Sequence, residues 1–392
     1  MKKRLFASAL AIALIIVQTG CQSGGAGNSA GSETIRIGMN FELSGQVATY
    51  GSDTVKGIEM AISEINAAGG VNGRTVELVK YDNKSEPAES TSLSAKLMEQ
   101  DKVIACLGPA TSGNFKATIP SAMSSKVPII SASATADVDV TTDAAGNVND
   151  YVFRICFTDS FQGVTMANFA SNTLTAQSAV IFKDNSSDYA IGLAKNFRST
   201  FEAKGGTVSA EEAYVAGDTD FRAVLTKLKA STFDVMFVPG YYQEAGLIIA
   251  QARELGITQP ILGADGFDSP TLAELAGAQA LSNVYYSNHY SALDKDQSVQ
   301  AFITQFSGAN GGTPPNAFNA LGYDLGNFIA DCLKRAAALN GSAVKDAIAS
   351  TTDFRGVTGS FSMGADHNPV KAVVVIEMQN GEQVNATRAA AQ

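Results

Sequence analysis

Val103-Ile104-Ala105-Cys106-Leu107-Gly108-Pro109-Ala110-Thr111-Ser112-Gly113 passes from five apolar residues through a Gly-Pro turn to two hydroxyls, where a helix-like stretch, Gly113–Ser124, begins. The apolar run predicts a buried strand, and the hydroxyls stand where that strand hands over to a helix. Upstream the same unit recurs. Ile35-Arg36-Ile37-Gly38-Met39 reads as a strand, and Val55, Ile58, Ile62 and Ile65 fall on one face of a helix ending at Gly69-Gly70. Thr75–Tyr81 is the next strand and Pro87–Gln100 the next helix. Downstream, Val127–Ile130 and Tyr151–Cys156 read as strands. The alternation then restarts with a helix over Phe161–Leu174, strand Ser178–Phe182, helix Ala190–Lys204, strand Thr207–Tyr214 and helix Phe221–Ala230. Strand Phe233–Val238, helix Glu244–Leu255 and strand Ile261–Gly263 follow. Parallel neighbours require a crossover, which a helix supplies, so this order predicts two α/β domains, each a parallel sheet flanked by helices. Phe361–Ile376 is expected to supply a late strand pair and Gln379–Gln392 a short polar end.

The first residues of the chain point outside the cytoplasm. Lys2, Lys3 and Arg4 precede the apolar run Leu5–Val17, which is too short and too lopsided in its flanks for a membrane span and reads as an export signal. Its last residues, Leu14-Ile15-Ile16-Val17-Gln18-Thr19-Gly20-Cys21, resemble the bacterial lipoprotein signal. That resemblance implies a signal peptide over 1–20, a lipid on Cys21 that holds the protein to the bilayer, and an extracytoplasmic location, in a periplasm or on the outer face of the membrane. The Gly/Ser/Ala-rich residues 21–32 would serve as a flexible tether. An ordinary secretory signal cleaved nearby, with Cys21 incidental, is the competing reading. The first 20 residues hold three of the 28 basic residues and none of the 38 acidic ones, so the rest of the chain has a formal charge of −13. Such a surface repels phosphate backbones, and no nucleic acid is expected as a partner.

Catalytic signatures are missing. His289 and His367 have no partner spaced as a metal ligand or a nucleophile's base, and Cys106, Cys156 and Cys332 lack CxxC or Cys/His spacing. Those cysteines read as small buried hydrophobes, with one disulfide among them left open. There is no GxxxxGK[ST] loop, GxSxG elbow or GxGxxG turn. No enzyme, cofactor or metal is expected. Instead, hydroxyls and one carboxylate gather at strand ends: Thr111-Ser112-Gly113, Ser131-Ala132-Ser133-Ala134-Thr135, and Asp265 in Leu262-Gly263-Ala264-Asp265-Gly266. Hydroxyls and helix N-terminal N–H groups can hold a carboxylate, and Asp265 can meet an ammonium group. Capping hydroxyls and an Asp-Gly turn are the alternatives.

Beyond these patterns, residues 33–380 resemble the leucine/isoleucine/valine-binding proteins, the type I extracytoplasmic amino-acid receptors of ABC transporters. The marks are Leu43-Ser44-Gly45 through Tyr50-Gly51, then Ile65-Asn66-Ala67-Ala68-Gly69-Gly70-Val71-Asn72-Gly73-Arg74 and Tyr81-Asp82-Asn83. Gly108-Pro109-Ala110-Thr111-Ser112-Gly113, Phe153-Arg154, Gln162-Gly163, Asp220-Phe221, Gly240-Tyr241-Tyr242 and Ala320-Leu321-Gly322-Tyr323-Asp324 follow in order. The resemblance implies two Rossmann-like lobes joined by a three-strand hinge: 33–155 plus 290–360, and 156–289 plus 361–392. It implies that Ser112 and Thr135 hold the ligand's α-carboxylate and that the Ser133 backbone carbonyl helps to grip the amino acid. Asp265 stands where the family has an acidic residue, frequently Glu, for the α-ammonium. Tyr189 and Tyr241 would close over the ligand from the second lobe, and Tyr50 would line the side-chain pocket. Gln46, Phe157 and Tyr323 are expected near the cleft.

The function that follows is a monomeric receptor that shuts on a neutral amino acid and presents it to the membrane subunits of an ABC transporter. Burying either pole of a zwitterion unpaired would cost several kcal/mol, so donors on one lobe and a carboxylate on the other need the cleft closed. A sensory receptor of the same fold, or a binder of a small amide or amino-acid-like metabolite, is the alternative.

Overall fold

The computed structural model describes residues 34–389, so the signal segment, Cys21 and the tether lie outside the described residues. Five parallel strands form the first sheet in the order β2-β1-β3-β4-β5: β1 (Ile35–Phe41), β2 (Val76–Asp82), β3 (Cys106–Leu107), β4 (Ile129–Ser131) and β5 (Val152–Arg154). Helices α1 (Ala48–Ala67), α2 (Pro87–Glu99) and α3 (Ser112–Ser125) make its crossovers. Every residue of β3, β4 and β5 is buried, as strands covered on both faces must be.

The second sheet has the order β14-β13-β10-β9-β8-β6-β7. Its parallel part is β6 (Ser178–Asp184), β7 (Thr207–Tyr214), β8 (Val235–Phe237), β9 (Ile261–Gly263) and β10 (Val284–Asn288). Around it lie α4 (Asp159–Asn168), α5 (Asp188–Ala203), α6 (Arg222–Lys229), α7 (Tyr242–Glu254) and α8 (Pro270–Ala276). After β10 the chain returns to the first lobe through α9 (Gln297–Ala309), α10 (Ala317–Arg335), α11 (Gly341–Ala349) and the small hairpin β11 (Phe354–Gly356) and β12 (Gly359–Phe361). It crosses back to finish the second sheet with β13 (Val373–Gln379) and β14 (Glu382–Ala389), both antiparallel.

Two expectations about the late chain need correction. The strand pair is not Phe361–Ile376, and the polar end is a strand: β14 pairs along β13 as the sheet's edge. An edge strand needs no continuous apolar face, which is why Glu382-Gln383-Val384-Asn385 reads as an unstructured tail. The second sheet is accordingly mixed rather than parallel throughout. Cys106, Cys156 and Cys332 are all buried and free, so no disulfide joins them.

The packing of α10 on α1 positions part of the cleft. A Cβ on Gly57 would stand 2.1 Å from Asn319 O, and one on Gly322 would stand 2.0 Å from Thr54 O, so only glycine allows the two backbones this close. At the N-terminal ends of these helices, Tyr50 and Phe318 meet with ring centroids 4.5 Å apart. Where the chain crosses for the last time, the buried ammonium of Lys371 donates to Thr358 Oγ1 (2.6 Å), which donates in turn to Asp324 Oδ2 (2.5 Å).

Candidate functional site

In each sheet the strand order reverses direction at one point, between β1 and β3 in the first and between β6 and β8 in the second. The carboxyl ends of strands beside such a point are where open α/β sheets leave a crevice. Ala110, Thr111 and Ser112 follow β3, Ser133 follows β4, and Tyr50 opens α1 after β1. Facing them, Tyr189 follows β6, Tyr241 follows β8, and Asp265 and Gly266 follow β9. With Phe318 these residues line one narrow pocket whose walls nearly meet. A larger hollow of about 680 Å³, bordered by Asp294, Tyr323 and Arg388, lies away from these strand ends and opens to solvent.

Glu42 builds the first-lobe wall. It is fully buried, and its carboxylate accepts from Ala110 N (3.0 Å), Thr111 N (3.1 Å), Thr111 Oγ1 (2.7 Å) and Asn114 Nδ2 (2.9 Å). Thr111 occupies the N-cap of α3, but its hydroxyl goes to Glu42, so the helix starts without a side-chain cap. Capping therefore does not account for this hydroxyl, and the unpaired N–H groups of the first turn open beside the pocket. Ser112 Oγ accepts from Ala136 N (3.1 Å) and keeps its own O–H for donation. Ser133 Oγ donates to Ala110 O (2.8 Å) and keeps acceptor capacity. Behind these loops the buried Arg154 guanidinium donates to Ala134 O and Ala136 O, both at 2.8 Å.

Across the cleft Asp265 is almost wholly buried. Its Oδ1 accepts from Gln162 Nε2 (3.0 Å) and Tyr189 OH (2.8 Å), and Oδ2 lies 3.1 Å from His289 Nε2. Gln162 is itself fixed, its Oε1 accepting from Asp265 N (3.1 Å) and Ser287 Oγ (2.7 Å). Tyr189 OH also accepts from Gly266 N (3.0 Å). Burial, followed by the Asp265 charge, pushes the Tyr189 phenol well above its ordinary value, and burial does the same to Tyr50, so both stay protonated donors. Tyr189 stacks on Tyr241 at 5.1 Å, and Tyr50 meets Tyr241 edge-on at 5.5 Å. The site thus has a donor wall, an anionic wall and an aromatic box with Ala110 between them.

Comparison with known proteins bears on that arrangement. Residues 34–383 match the family model described as periplasmic binding protein. The chain belongs to that family. An amino acid binding protein of Pseudomonas aeruginosa is 30% identical to this periplasmic binding protein over 79% of each chain. Among solved structures, the branched-chain amino acid transporter substrate-binding protein LivJ of Streptococcus pneumoniae, in complex with isoleucine, has 44% identity and a TM-score of 0.85 over 91% of this chain and 99% of its own. The leucine-binding protein LivK of Thermotoga maritima has 31% identity and a TM-score of 0.82 over 91% of this chain and 98% of its own. The family works outside the cytoplasm as the binding component of ABC transporters and is not enzymatic. Among the described residues no helix is long and apolar enough to cross a membrane.

Six of the seven cleft residues named from the sequence of this periplasmic binding protein line one pocket: Tyr50, Ser112, Ser133, Tyr189, Tyr241 and Asp265. Thr135 is placed differently. It lies outside the lining, its carbonyl accepts from Asp159 N (2.9 Å), and its buried Oγ1 has no partner among the described residues. Gln46 reaches across the cleft, where its carbonyl accepts from Gln243 Nε2 and from Tyr242 OH (3.2 Å). Phe157 stacks on His289 at 3.7 Å, whereas Tyr323 turns away to donate to Glu64 Oε2 (2.8 Å). Sequence reasoning missed Phe318, Glu42 and His289, each brought in by a distant segment. Gln162 was visible only as part of the Gln162-Gly163 mark.

Proposed function

We propose that the protein binds an L-α-amino acid with a neutral, branched aliphatic side chain between its lobes and delivers it to the membrane subunits of an ABC transporter. The observation that carries this reading is the opposed pair of poles: the uncapped start of α3 with the Ser112 hydroxyl on one wall, and Asp265 on the other. A zwitterion presents a carboxylate and an ammonium a short fixed distance apart, and these facing walls offer donors and a carboxylate to match them. Tyr50, Phe318 and Ala110 present no charge, which suits an aliphatic side chain. The isoleucine bound by the Streptococcus pneumoniae relative supports the same class.

In this proposal the lobes are residues 33–155 plus 290–360 and residues 156–289 plus 361–392, and closure of a monomer is the state the transporter reads. Lipid on Cys21 would hold the receptor beside its permease. The test is calorimetry of the domain from residue 33 against the L-amino acids, with Ser112→Ala and Asp265→Ala alongside. Micromolar or tighter binding of leucine, isoleucine or valine, lost by at least tenfold in each variant, is expected; no binding of any amino acid to the parent would overturn the reading. For the anchor, mass spectrometry of the N-terminal peptide from the native host should find diacylglycerol on Cys21.

A further inference from the structure

His289 is one of two histidines in the chain, and no spacing in the sequence gives it a role. It is 3% exposed, lies at the end of the second sheet's central region after β10, and stacks face to face on Phe157, centroids 3.7 Å apart and planes 12° from parallel. Its Nε2 faces Asp265 Oδ2 at 3.1 Å. An ionised carboxylate only accepts, so Nε2 must carry the proton; Nδ1 is then the bare nitrogen, and it is buried with no partner among the described residues. Asp265 has about four acceptor positions. Gln162 and Tyr189 take those of Oδ1 and His289 takes one of Oδ2, which leaves one, next to the imidazole, for a ligand in the pocket.

We propose that His289 is a positioning residue for the ligand's ammonium group: neutral, it fixes the Asp265 carboxylate by donating Nε2–H; protonated at Nδ1, it cancels the charge the ammonium needs and weakens binding. The inference rests on the amino-acid reading above. Lys371, from the last crossing, opposes protonation of His289, and Asp265 favours it, while burial opposes it most strongly. Asp159, at the start of α4, acts on Asp265 but leans toward its neutral form because of burial. Cys156, pushed up to about 12 by burial, is a neutral thiol. A cationic ligand adds a further positive charge beside His289, so ligand and proton exclude one another, and affinity falls as pH drops below the ordinary histidine range.

The experiment is calorimetry with L-isoleucine from pH 7.5 to 5.0 on the parent, His289→Gln and His289→Phe. Parent affinity should fall by up to tenfold per pH unit over the acid part of the range. His289→Gln, whose amide can donate but not titrate, should bind within about threefold of the parent at pH 7.5 with a flat profile. His289→Phe, which keeps the stacking on Phe157, should bind at least tenfold more weakly at every pH. Equal binding by His289→Phe and parent, or an unchanged acid profile in His289→Gln, would overturn the proposal. A second measurement does not depend on the ligand. Nitrogen-15 shifts of the two imidazoles should show His289 as the Nε2–H tautomer at pH 7.5, titrating at lower pH in Asp265→Asn than in the parent. If the parent binds no amino acid but the shifts behave so, the ligand reading fails and the His289–Asp265 coupling stands; unchanged titration in Asp265→Asn overturns the coupling.

Discussion

The Tyr50 hydroxyl of the first lobe donates to the carbonyl oxygen of Gly266 on the second at 2.5 Å, and the same hydroxyl accepts from Tyr242 N at 3.1 Å. One side chain therefore ties two loops of the opposite lobe to α1. Its ring, not its hydroxyl, is what remains for anything bound in the pocket.

Tyr50→Phe removes both bonds and leaves the ring. Two neutral hydrogen bonds at about 0.5–1.5 kcal/mol each predict a loss of about 1–3 kcal/mol in the closed state, and with it a roughly five- to 150-fold loss of affinity. Stopped-flow release should be faster by a similar factor while Tm of the unliganded protein barely changes. An unchanged release rate would mean that the bond contributes nothing to closure.

Glu42→Gln tests the first-lobe wall. The amide places an N–H where the carboxylate accepted from Ala110 N or from Thr111 and Asn114, so at least one buried donor loses its acceptor. A cost of about 2–3 kcal/mol in urea unfolding is expected, with ligand affinity reduced more than tenfold because the start of α3 shifts. Full stability and affinity in the variant would show that the carboxylate is dispensable.

Gly57→Val strikes further away. Its side chain would meet the α10 backbone near Asn319 O, so α1 and α10 must separate at a cost of about 2 kcal/mol or more. Because those helices carry Tyr50 and Phe318, binding should weaken as well, although no pocket residue is altered. Calorimetry and thermal unfolding measured together separate the two effects.

Asp159 supplies a prediction about pH. Burial first, then the nearby Asp137 and Asp265, hold its carboxyl well above the usual value. The folded protein thus keeps a proton that the unfolded chain releases, and stability is lost as pH rises from about 4 toward the folded value. Asp159→Asn cannot ionise, so it should exceed the parent in stability at pH 7.5, with the gain shrinking to nothing near pH 4. Unfolding curves at the two pH values decide the matter; a destabilised variant at pH 7.5 would contradict it.

What the sequence made legible was local. Apolar runs ending in Gly or Pro located the strand ends, and Thr207–Tyr214 and Ile261–Gly263 match their observed bounds. Val103–Leu107 shortens to Cys106–Leu107 because only those residues pair with both β1 and β4. The hairpin from β13 to β14 had a signal, Asn380-Gly381, both with positive φ as a two-residue hairpin loop requires, but the polar strand after it hid the pairing. In the cleft, residues at strand ends were readable because topology puts them there. Glu42, Phe318 and His289 were not: each acts through a partner tens to hundreds of positions away, and a buried carboxylate or imidazole looks in sequence like any surface one.

The two lobes are also joined at the rim of the cleft, where Lys116 on α3 meets Asp188 on α5 at 2.6 Å. Asp188 there is largely exposed, so this pair is weakened by ions in the medium, whereas the enclosed Tyr50 bond is not. The rim and the core of the cleft accordingly answer to different surroundings. If the lobes open and close as proposed above, a rise in salinity would loosen the outer seal and shorten the time they stay shut while the inner tie keeps the same hold, so the cleft carries one salt-sensitive and one salt-indifferent fastening.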